Sequence, residues 1–140
     1  MALDRIDLQN LAELRLRDAK LLLDGGQYDG SYYMAGYVVE CAFMSLIAAR
    51  TRQHEFPDKG LAKRAFTHDL KELLTISGRK GDWDRELNND PELEQNWNIV
   101  RDWSEESRYE AGRIGSEAEE MYSAIEDPAH GVLACIRKFW

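Results

Sequence analysis

The chain has 140 residues, 44% of them hydrophobic, which is enough to bury the core of one domain without a metal ion or a disulfide. Its 26 acidic and 18 basic residues give a formal net charge of −8, which repels phosphate backbones and disfavours free-standing nucleic-acid binding. The two cysteines, Cys41 and Cys135, lack metal-ligand spacing, so we interpret them as buried thiols in a reducing compartment.

The first predicted helix is amphipathic, and the glycine pair Gly25-Gly26 ends it. Its apolar residues recur at helical spacing, at Leu8, Ala12, Leu16, Ala19 and Leu23. A second predicted helix follows Asp29-Gly30-Ser31 and is apolar on nearly every side. Its two neighbouring stripes consist of Ala35, Val39, Ala42 and Leu46, and of Gly36, Glu40, Phe43 and Ile47. Such a helix belongs at the centre of a bundle.

No segment predicts export or a membrane anchor. Residues Met1 to Asn10 lack the basic start, apolar run and small-residue cleavage site of a signal peptide. The longest apolar stretch, Met34 to Ala49, carries Glu40 at its middle and is shorter than the roughly 20 residues that a spanning helix needs. We therefore expect a cytoplasmic protein that does not bind a membrane.

The middle of the chain alternates between loops and short helices. Pro57 and Gly60 mark a loop from Thr51 to Arg64, which we interpret as solvated because it has one aromatic residue for stacking on RNA. The basic residues around it are Arg50, Arg52, Lys59, Lys63 and Arg64. A third helix is predicted from Thr67, its cap, to Ile76, with Ser77-Gly78 closing it.

The acidic run from Asp82 to Glu94 is interpreted as an exposed face, because its carboxylates do not follow calcium-loop spacing. Asp90-Pro91 starts a fourth helix that is predicted to end near Ser104. A last helical stretch, from Ser116 to Trp140, is expected to break at Asp127-Pro128. No internal repeat is present, so residues 1–140 are predicted to form a single all-α domain, an up-and-down bundle of about five helices.

Four segments occur together in a familiar order and spacing. They are Gly26-Gln27-Tyr28, the run from Tyr32 to Ala42, Thr67-His68-Asp69-Leu70, and Ser107-Arg108-Tyr109. Their arrangement resembles the small stand-alone members of the HEPN domain family over roughly residues 10–135. The resemblance implies a helical bundle that commonly dimerises. It also implies a partner, either a minimal nucleotidyltransferase or the other member of a toxin–antitoxin pair.

The catalytic branch of that family is a metal-independent ribonuclease whose motif is an Arg followed, after four to six residues, by a His. The sequence does not supply this motif, because the arginines that precede His54 and His68 are too close to them and no His follows Arg108 at that distance. An imidazole is needed to move a proton near neutral pH. Met44 also stands where many relatives place a Lys. We therefore expect no catalytic residues and no ribonuclease activity.

Five residues are candidates for binding: Glu40, Tyr37, Trp103, Arg108 and Tyr109. Glu40 lies on an apolar helix, and its carboxylate needs a partner there. It either makes a structural bond to a buried Arg, Tyr or helix-end amide, with Arg108 a plausible partner, or lines a ligand pocket. The segment from Trp103 to Tyr109 either forms a recognition surface or packs the bundle, since Arg and aromatic residues are enriched at binding hot spots.

His68 and Asp69 are weaker candidates, for which a cap-like structural role is favoured over chemistry. The sequence contains no phosphate-binding loop, nucleophile elbow or zinc motif, so neither a cofactor nor a metal is expected. Three hypotheses follow. The first is a non-catalytic homodimer that pairs with a protein partner. The second is a divergent ribonuclease toxin that uses Arg108 with His68 or His130. The third is a nucleotide or small-molecule sensor with a pocket lined by Glu40, Tyr37 and Arg108.

Overall fold

A computed structural model of the chain describes residues 3–50 and 67–140, and every regular element in these two ranges is helical. The α-helices are α1 (Arg5–Asp24), α2 (Tyr28–Arg50), α3 (Leu70–Ile76), α4 (Lys80–Asn89), α5 (Pro91–Val100), α6 (Gly115–Glu126) and α7 (Val132–Arg137), and a 3₁₀ helix (Glu105–Tyr109) lies between α5 and α6. The predicted all-α bundle is confirmed. The described residues contain seven α-helices, however, where about five were expected.

Helix α1 ends where its sequence predicts, and a capping box that was not predicted starts it. Asp4 and Asp7 form a reciprocal capping box, in which each carboxylate accepts a hydrogen bond from the other's backbone N–H at 2.8 and 3.1 Å. The helix stops at Gly25, and Gly26 takes a φ of 76°, a left-handed conformation that favours glycine. Its buried side faces α2 with Leu8, Ala12 and Ala19.

Helix α2 is the centre of the bundle. It packs along α1 and also contacts α3, α6, α7 and the 3₁₀ helix. Ser31 is buried on it and donates a 2.8 Å hydrogen bond to the carbonyl of Ala19, which ties α2 to α1. By length and composition α2 is apolar enough to cross a membrane, but 61% of its most apolar window is buried inside the protein. The predicted central core helix is confirmed.

Helix α4 is the main element that the sequence reading missed. The acidic run that begins at Asp82 does not form only an exposed face, because Trp83 within it is 1% exposed. Its indole packs edge-on against Phe43 of α2 and Trp97 of α5, with ring centroids 5.6 and 5.2 Å apart. Such edge-to-face aromatic pairs stabilise a core beyond the area they bury. One tryptophan therefore anchors a helix that is otherwise acidic and solvent-facing.

Several boundaries differ from the expected ones. The cap of α3 is Asp69, not Thr67, whose hydroxyl accepts a hydrogen bond from the Asp69 N–H instead. Helix α5 ends at Val100, short of the predicted Ser104. The predicted break at Asp127-Pro128 is confirmed, since it separates α6 from α7.

The predicted basic loop lies outside the described residues except for Arg50 at the end of α2. The guanidinium of Arg50 donates to the carbonyl of Ile76 at the last turn of α3. A cation at this position is favourable, because the carbonyls at a helix C-terminus carry partial negative charge. The contact joins the ends of α2 and α3.

A histidine links α5 to the turn between α6 and α7. Nδ1 of His130 lies 2.8 Å from Oδ2 of Asp90, the N-cap of α5, and Asn96 donates to the His130 carbonyl at 2.9 Å. The bond to Asp90 raises the pKa of His130, and the same bond lowers the pKa of Asp90. Glu92 and Asp127 also face the imidazole and favour its charged form.

We expect His130→Ala to lower the thermal midpoint more at about pH 5 than at about pH 9. A raised histidine pKa contributes stability that is complete below the ordinary value of 6.5 and is lost as pH rises through the raised value. The lowered pKa of Asp90 contributes stability above its ordinary 3.8. The stability contributed by His130 and the stability contributed by Asp90 are therefore both present between pH 3.8 and pH 6.5. Thermal unfolding of both proteins at the two pH values checks this, and an equal loss at both would contradict it.

Candidate functional site

Trp103 is placed by a glycine on α2. Its indole lies directly on Gly36, so that a Cβ built on Gly36 would come within 2.2 Å of three indole atoms. Trp103 is only 3% exposed. Its ring supports Tyr33, whose centroid is 5.8 Å away. Trp103 is therefore a buried packing residue that supports the more exposed residues of the site from below.

Two tyrosines one turn apart on α2 stack beside Trp103. The rings of Tyr33 and Tyr37 are 6.4 Å apart and almost parallel, with an interplanar angle of 7°. Both side chains are half-buried. Burial first, and then neighbouring Cys41 and Glu40, raise the pKa of Tyr37 to about 12. Tyr37 is therefore a neutral phenol that presents a ring and a hydroxyl together.

Arg108 and Tyr109 end the 3₁₀ helix next to these rings. The guanidinium of Arg108 lies over the ring of Tyr109, 4.8 Å from its centroid, and Tyr109 is 77% exposed. Hydrogen bonding to Tyr109 is the main cause that raises the pKa of Arg108, with Tyr33 and the charge of Glu105 adding to it. Arg108 therefore stacks on the exposed Tyr109 and lies near Tyr33 of α2. We call Tyr33, Tyr37, Arg108 and Tyr109 the tyrosine–arginine surface.

The start of α2 holds the connection that follows Tyr109. Asp29 accepts hydrogen bonds from the backbone N–H groups of Gly112 and Arg113 at 3.1 and 3.0 Å. The guanidinium of Arg113 in turn lies 3.5 Å from the ring centroid of Tyr32. These contacts fix the chain that follows Tyr109 to the start of α2. The surface is thus presented on a supported backbone.

Glu40 binds an imidazole below this surface. It is 3% exposed, and its Oε1 lies 2.5 Å from Nδ1 of His68. The other ring nitrogen, Nε2, lies 3.2 Å from Oε2 of Glu105 in the 3₁₀ helix. Because a carboxylate can only accept, the proton of this pair is on Nδ1 when Glu40 is ionised. The expected pairing of Glu40 with Arg108 is therefore wrong, and His68 takes that place.

Burial is the main cause that raises the pKa of Glu40, and the hydrogen bond from His68 opposes it. Asp69, next to His68, caps α3 by accepting from the N–H groups of Lys71 and Glu72 at 2.9 and 3.3 Å. The start of α3 is thereby held where His68 can reach Glu40. His68 thus connects α2, α3 and the 3₁₀ helix through its two nitrogens.

A polar cavity of about 260 Å³ opens beside His68. It is lined by His68, Asp69, Lys71, Arg101, Asp102, Trp103, Ser104, Glu105 and Glu106. Glu40, Tyr37 and Arg108, which were expected to line a ligand pocket together, are not among these residues. Within residues 3–50 and 67–140, no three His, Cys, Asp or Glu side chains are grouped so that they could hold a metal ion.

The structure brings the five binding candidates into one region. Tyr37, Trp103, Arg108 and Tyr109 are linked through Tyr33, and Glu40 lies beside Tyr37. Sequence reasoning did not single out Tyr33 or Glu105. Their spacing contained a signal, because Tyr33 precedes Tyr37 by one helical turn and Glu105 precedes Arg108 by three residues.

The chain is an all-α helical bundle built around one central helix, α2, and the 3₁₀ helix that ends in Arg108 and Tyr109 packs against α2. The model of the HEPN domain family matches residues 7–138, nearly the whole chain. This protein belongs to the HEPN domain family. Searches of curated proteins and of solved structures gave no match.

The two histidines in the described part of the chain, His68 and His130, both contact carboxylates. His130 is engaged with Asp90 and Glu92, on the turn before α7. His68 reaches the 3₁₀ helix that carries Arg108, but both of its nitrogens face carboxylates. His54 lies outside the described residues. The described part of the site thus contains an Arg with a carboxylate-bound imidazole, a different arrangement from an Arg-to-His motif.

Gly36→Ala should destabilise the protein by about 1–3 kcal/mol, because the added methyl group overlaps the Trp103 indole. Gly81→Ala is the matched control, since a Cβ on this exposed glycine of α4 meets nothing within 4 Å. Alanine is favoured over glycine in a helix by about 0.5–1 kcal/mol, so the control should gain stability. Urea denaturation measures both. Equal effects of the two variants would contradict the packing role of Gly36.

His68→Ala should cost about 1–3 kcal/mol at pH 8, because it leaves the buried carboxylate of Glu40 without its partner. The cost should be smaller near pH 5. Burial raises the pKa of Glu40 above its ordinary 4.5, so the carboxyl binds a proton in the folded protein as the pH falls toward that value. Denaturation at both pH values tests this. The control compares Glu40→Gln with Glu40→Gln/His68→Ala, where the carboxyl is absent and the stability lost with His68 should not change between the two pH values.

Proposed function

We propose that this HEPN protein acts by binding and not by cleaving RNA. It associates with a second copy of itself and presents the tyrosine–arginine surface to a protein partner. By the family resemblance, the partner is a minimal nucleotidyltransferase or the other member of a toxin–antitoxin pair. A cytoplasmic location fits the two free thiols, Cys41 and Cys135, both of which are buried.

The observation that carries this proposal is the exposure of Tyr109 under a charged Arg108, beside the stacked Tyr33 and Tyr37. Tyrosine and arginine are enriched among the hot spots of protein interfaces, since they offer a large contact area with polar tips. No core contact among the described residues holds Tyr109, which is 77% exposed. Exposing this aromatic ring to water is unfavourable, and a partner that covers Tyr109 removes that unfavourable free energy.

The charges around this surface favour a protein over RNA. Four acidic side chains flank it, and two of them are paired with cations, Asp102 with Lys71 and Glu110 with Arg113, which leaves Glu105 and Glu106 without a Lys or Arg partner among the described residues. Aromatic rings can stack on bases, but single-strand binders place their rings in a positively charged groove. Carboxylates at these positions repel a phosphate backbone and attract basic side chains of a protein. A partner with lysines or arginines around an apolar centre fits this surface.

The proposal is tested by titrating the purified protein with a candidate nucleotidyltransferase in a calorimeter. Arg108→Ala/Tyr109→Ala should weaken binding at least tenfold, since truncating hot-spot residues typically costs more than about 1 kcal/mol each. Arg85→Ala is the control, because Arg85 is an exposed arginine of α4 that pairs with Asp82 of the same helix. Equal affinity of the double variant and the wild type would rule out this surface as the binding site.

One observation supports a second candidate, a divergent ribonuclease. Nε2 of His68 reaches Glu105, and Glu105 lies within the electrostatic influence of Arg108. An imidazole, a carboxylate and a guanidinium close together can supply proton transfer and charge stabilisation at a phosphate. The hydrogen bond between Nδ1 of His68 and the buried carboxylate of Glu40 also orients the imidazole ring, as such bonds do in other acid–base sites.

Incubation of the wild type with RNA in the presence of a chelator separates the two candidates. The binding proposal expects intact RNA. Cleavage that is lost in both Arg108→Ala and His68→Gln, but kept in Arg85→Ala, would replace the binding proposal with the ribonuclease.

A further inference from the structure

The imidazole of His68 lies between two carboxylates, one on each side of the ring. Nδ1 lies 2.5 Å from Oε1 of Glu40 on α2, and Nε2 lies 3.2 Å from Oε2 of Glu105, the first residue of the 3₁₀ helix. Glu40 is buried, whereas the side chains of His68 and Glu105 are 47% and 36% exposed. The ring can therefore exchange protons with solvent while it contacts a buried carboxylate.

A neutral imidazole cannot donate a hydrogen bond to both carboxylates. It has one N–H group, and its other nitrogen can only accept. The buried carboxylate of Glu40 has the greater need for a donor, so the single N–H is on Nδ1 and the lone pair of Nε2 faces an oxygen of Glu105. Two acceptors that face each other repel. A ring with two protons donates to both carboxylates instead, and the second hydrogen bond is charge-assisted.

The contact that this second proton changes belongs to the element that carries the tyrosine–arginine surface. Glu105 begins the 3₁₀ helix that ends in Arg108 and Tyr109, and its charge acts on Arg108, one 3₁₀ turn away. Two backbone hydrogen bonds, from the N–H groups of Ser107 and Glu110, hold the helix from within. A 3₁₀ helix has poorer hydrogen-bond geometry than an α-helix, so its contacts with neighbouring elements matter more for holding it in place.

The other charged groups around the ring act in both directions. Asp69, Asp102 and Glu106 line the cavity beside the ring and favour a second proton on it. Lys71 and Arg101 line the same cavity and oppose one. Lys71 pairs with Asp102 at 3.1 Å, and Asp69 accepts from the backbone of α3, so these groups already have partners. The second proton therefore acts chiefly through the two carboxylates that contact the ring nitrogens.

We propose that His68 is a pH-dependent latch: a second proton on its ring fastens the 3₁₀ helix to α2 and α3 and thereby raises the affinity of the tyrosine–arginine surface for its partner. Imidazole is the side chain that ordinarily changes its charge between about pH 5 and pH 8, so the latch is closed more often at about pH 6 than at about pH 8. A surface that is already held in place loses less conformational freedom on binding. The effect on partner affinity rests on the proposed function.

Hydrogen exchange of the purified full chain at the two pH values tests the latch. After correction for the ordinary effect of pH on exchange, the amides of Ser107 and Glu110 should be protected roughly tenfold better at the lower pH, the factor that one hydrogen bond to a charged group supplies. Exchange of these amides reports local opening of the 3₁₀ helix and not the global free energy of unfolding. Equal protection at the two pH values would overturn the inference.

Glu105→Gln should remove the dependence on pH. Its amide group donates to Nε2 of the neutral ring and its carbonyl accepts from the charged ring, so the contact forms in both states. Glu106→Gln is the matched control, because Glu106 is the next acid of the same helix and is exposed, and it should keep the pH dependence of the wild type. A dependence that survives Glu105→Gln belongs to another group, such as Glu40, and would overturn the inference, as would its loss in Glu106→Gln. Circular dichroism checks that both variants are folded.

The partner titration, repeated at both pH values, separates failure of this inference from failure of the proposed function. The wild type should bind the candidate nucleotidyltransferase more tightly at the lower pH than Glu105→Gln does, relative to their affinities at the higher pH, a comparison that cancels any pH dependence of the partner itself. Binding that is lost in Arg108→Ala/Tyr109→Ala but responds to pH equally in the wild type and Glu105→Gln would overturn the regulation and keep the proposed function. Exchange that depends on pH as expected, without any binding of the partner, would keep the latch and overturn the proposed function.

Discussion

The structure depends on the need to cover α2 on every side. Its buried residues lie all around the helix, from Ser31 near its start to Ile47 near its end. A helix that is apolar all round loses free energy wherever water reaches it, so the remaining elements must surround it. Helices α1, α3, α6, α7 and the 3₁₀ helix each contribute part of this cover. The short helices of the second half of the chain exist in this arrangement because α2 offers each of them an apolar surface.

The candidate site lies where this cover is thinnest. Tyr33 and Tyr37 are half-buried on α2, and the 3₁₀ helix, the smallest element that touches α2, is what packs beside them. Close approach is possible because Gly36 has no side chain, which lets the Trp103 indole rest on the helix backbone. Glu40, one turn further along, receives its partner from the start of α3. The stretch of α2 from Tyr33 to Glu40 thus both packs against the core and carries polar groups of the candidate site.

Much of the fold could be predicted from local patterns. The helices α1 and α2 follow from helical periodicity, and the break before α7 follows from Asp127-Pro128. Helix α4 could not be recognised in this way, because its signal was one tryptophan and one leucine among many carboxylates. Trp83 is buried only because Phe43 and Trp97 come from other helices to meet it. Helix α4 is therefore stabilised by its tertiary contacts with other helices and not by a pattern within its own sequence.

The sequence by itself determined the all-α fold, the central place of α2 and the absence of an Arg-to-His ribonuclease motif. Those properties depend on residue type and on spacing along one helix, both of which can be read directly. Only the tertiary structure decided that Glu40 pairs with His68, 28 residues away, and not with Arg108. It also decided that Trp103 supports the site from below while Tyr109 remains in solvent. Pairings of this kind depend on how separate helices pack, which spacing along the chain does not encode.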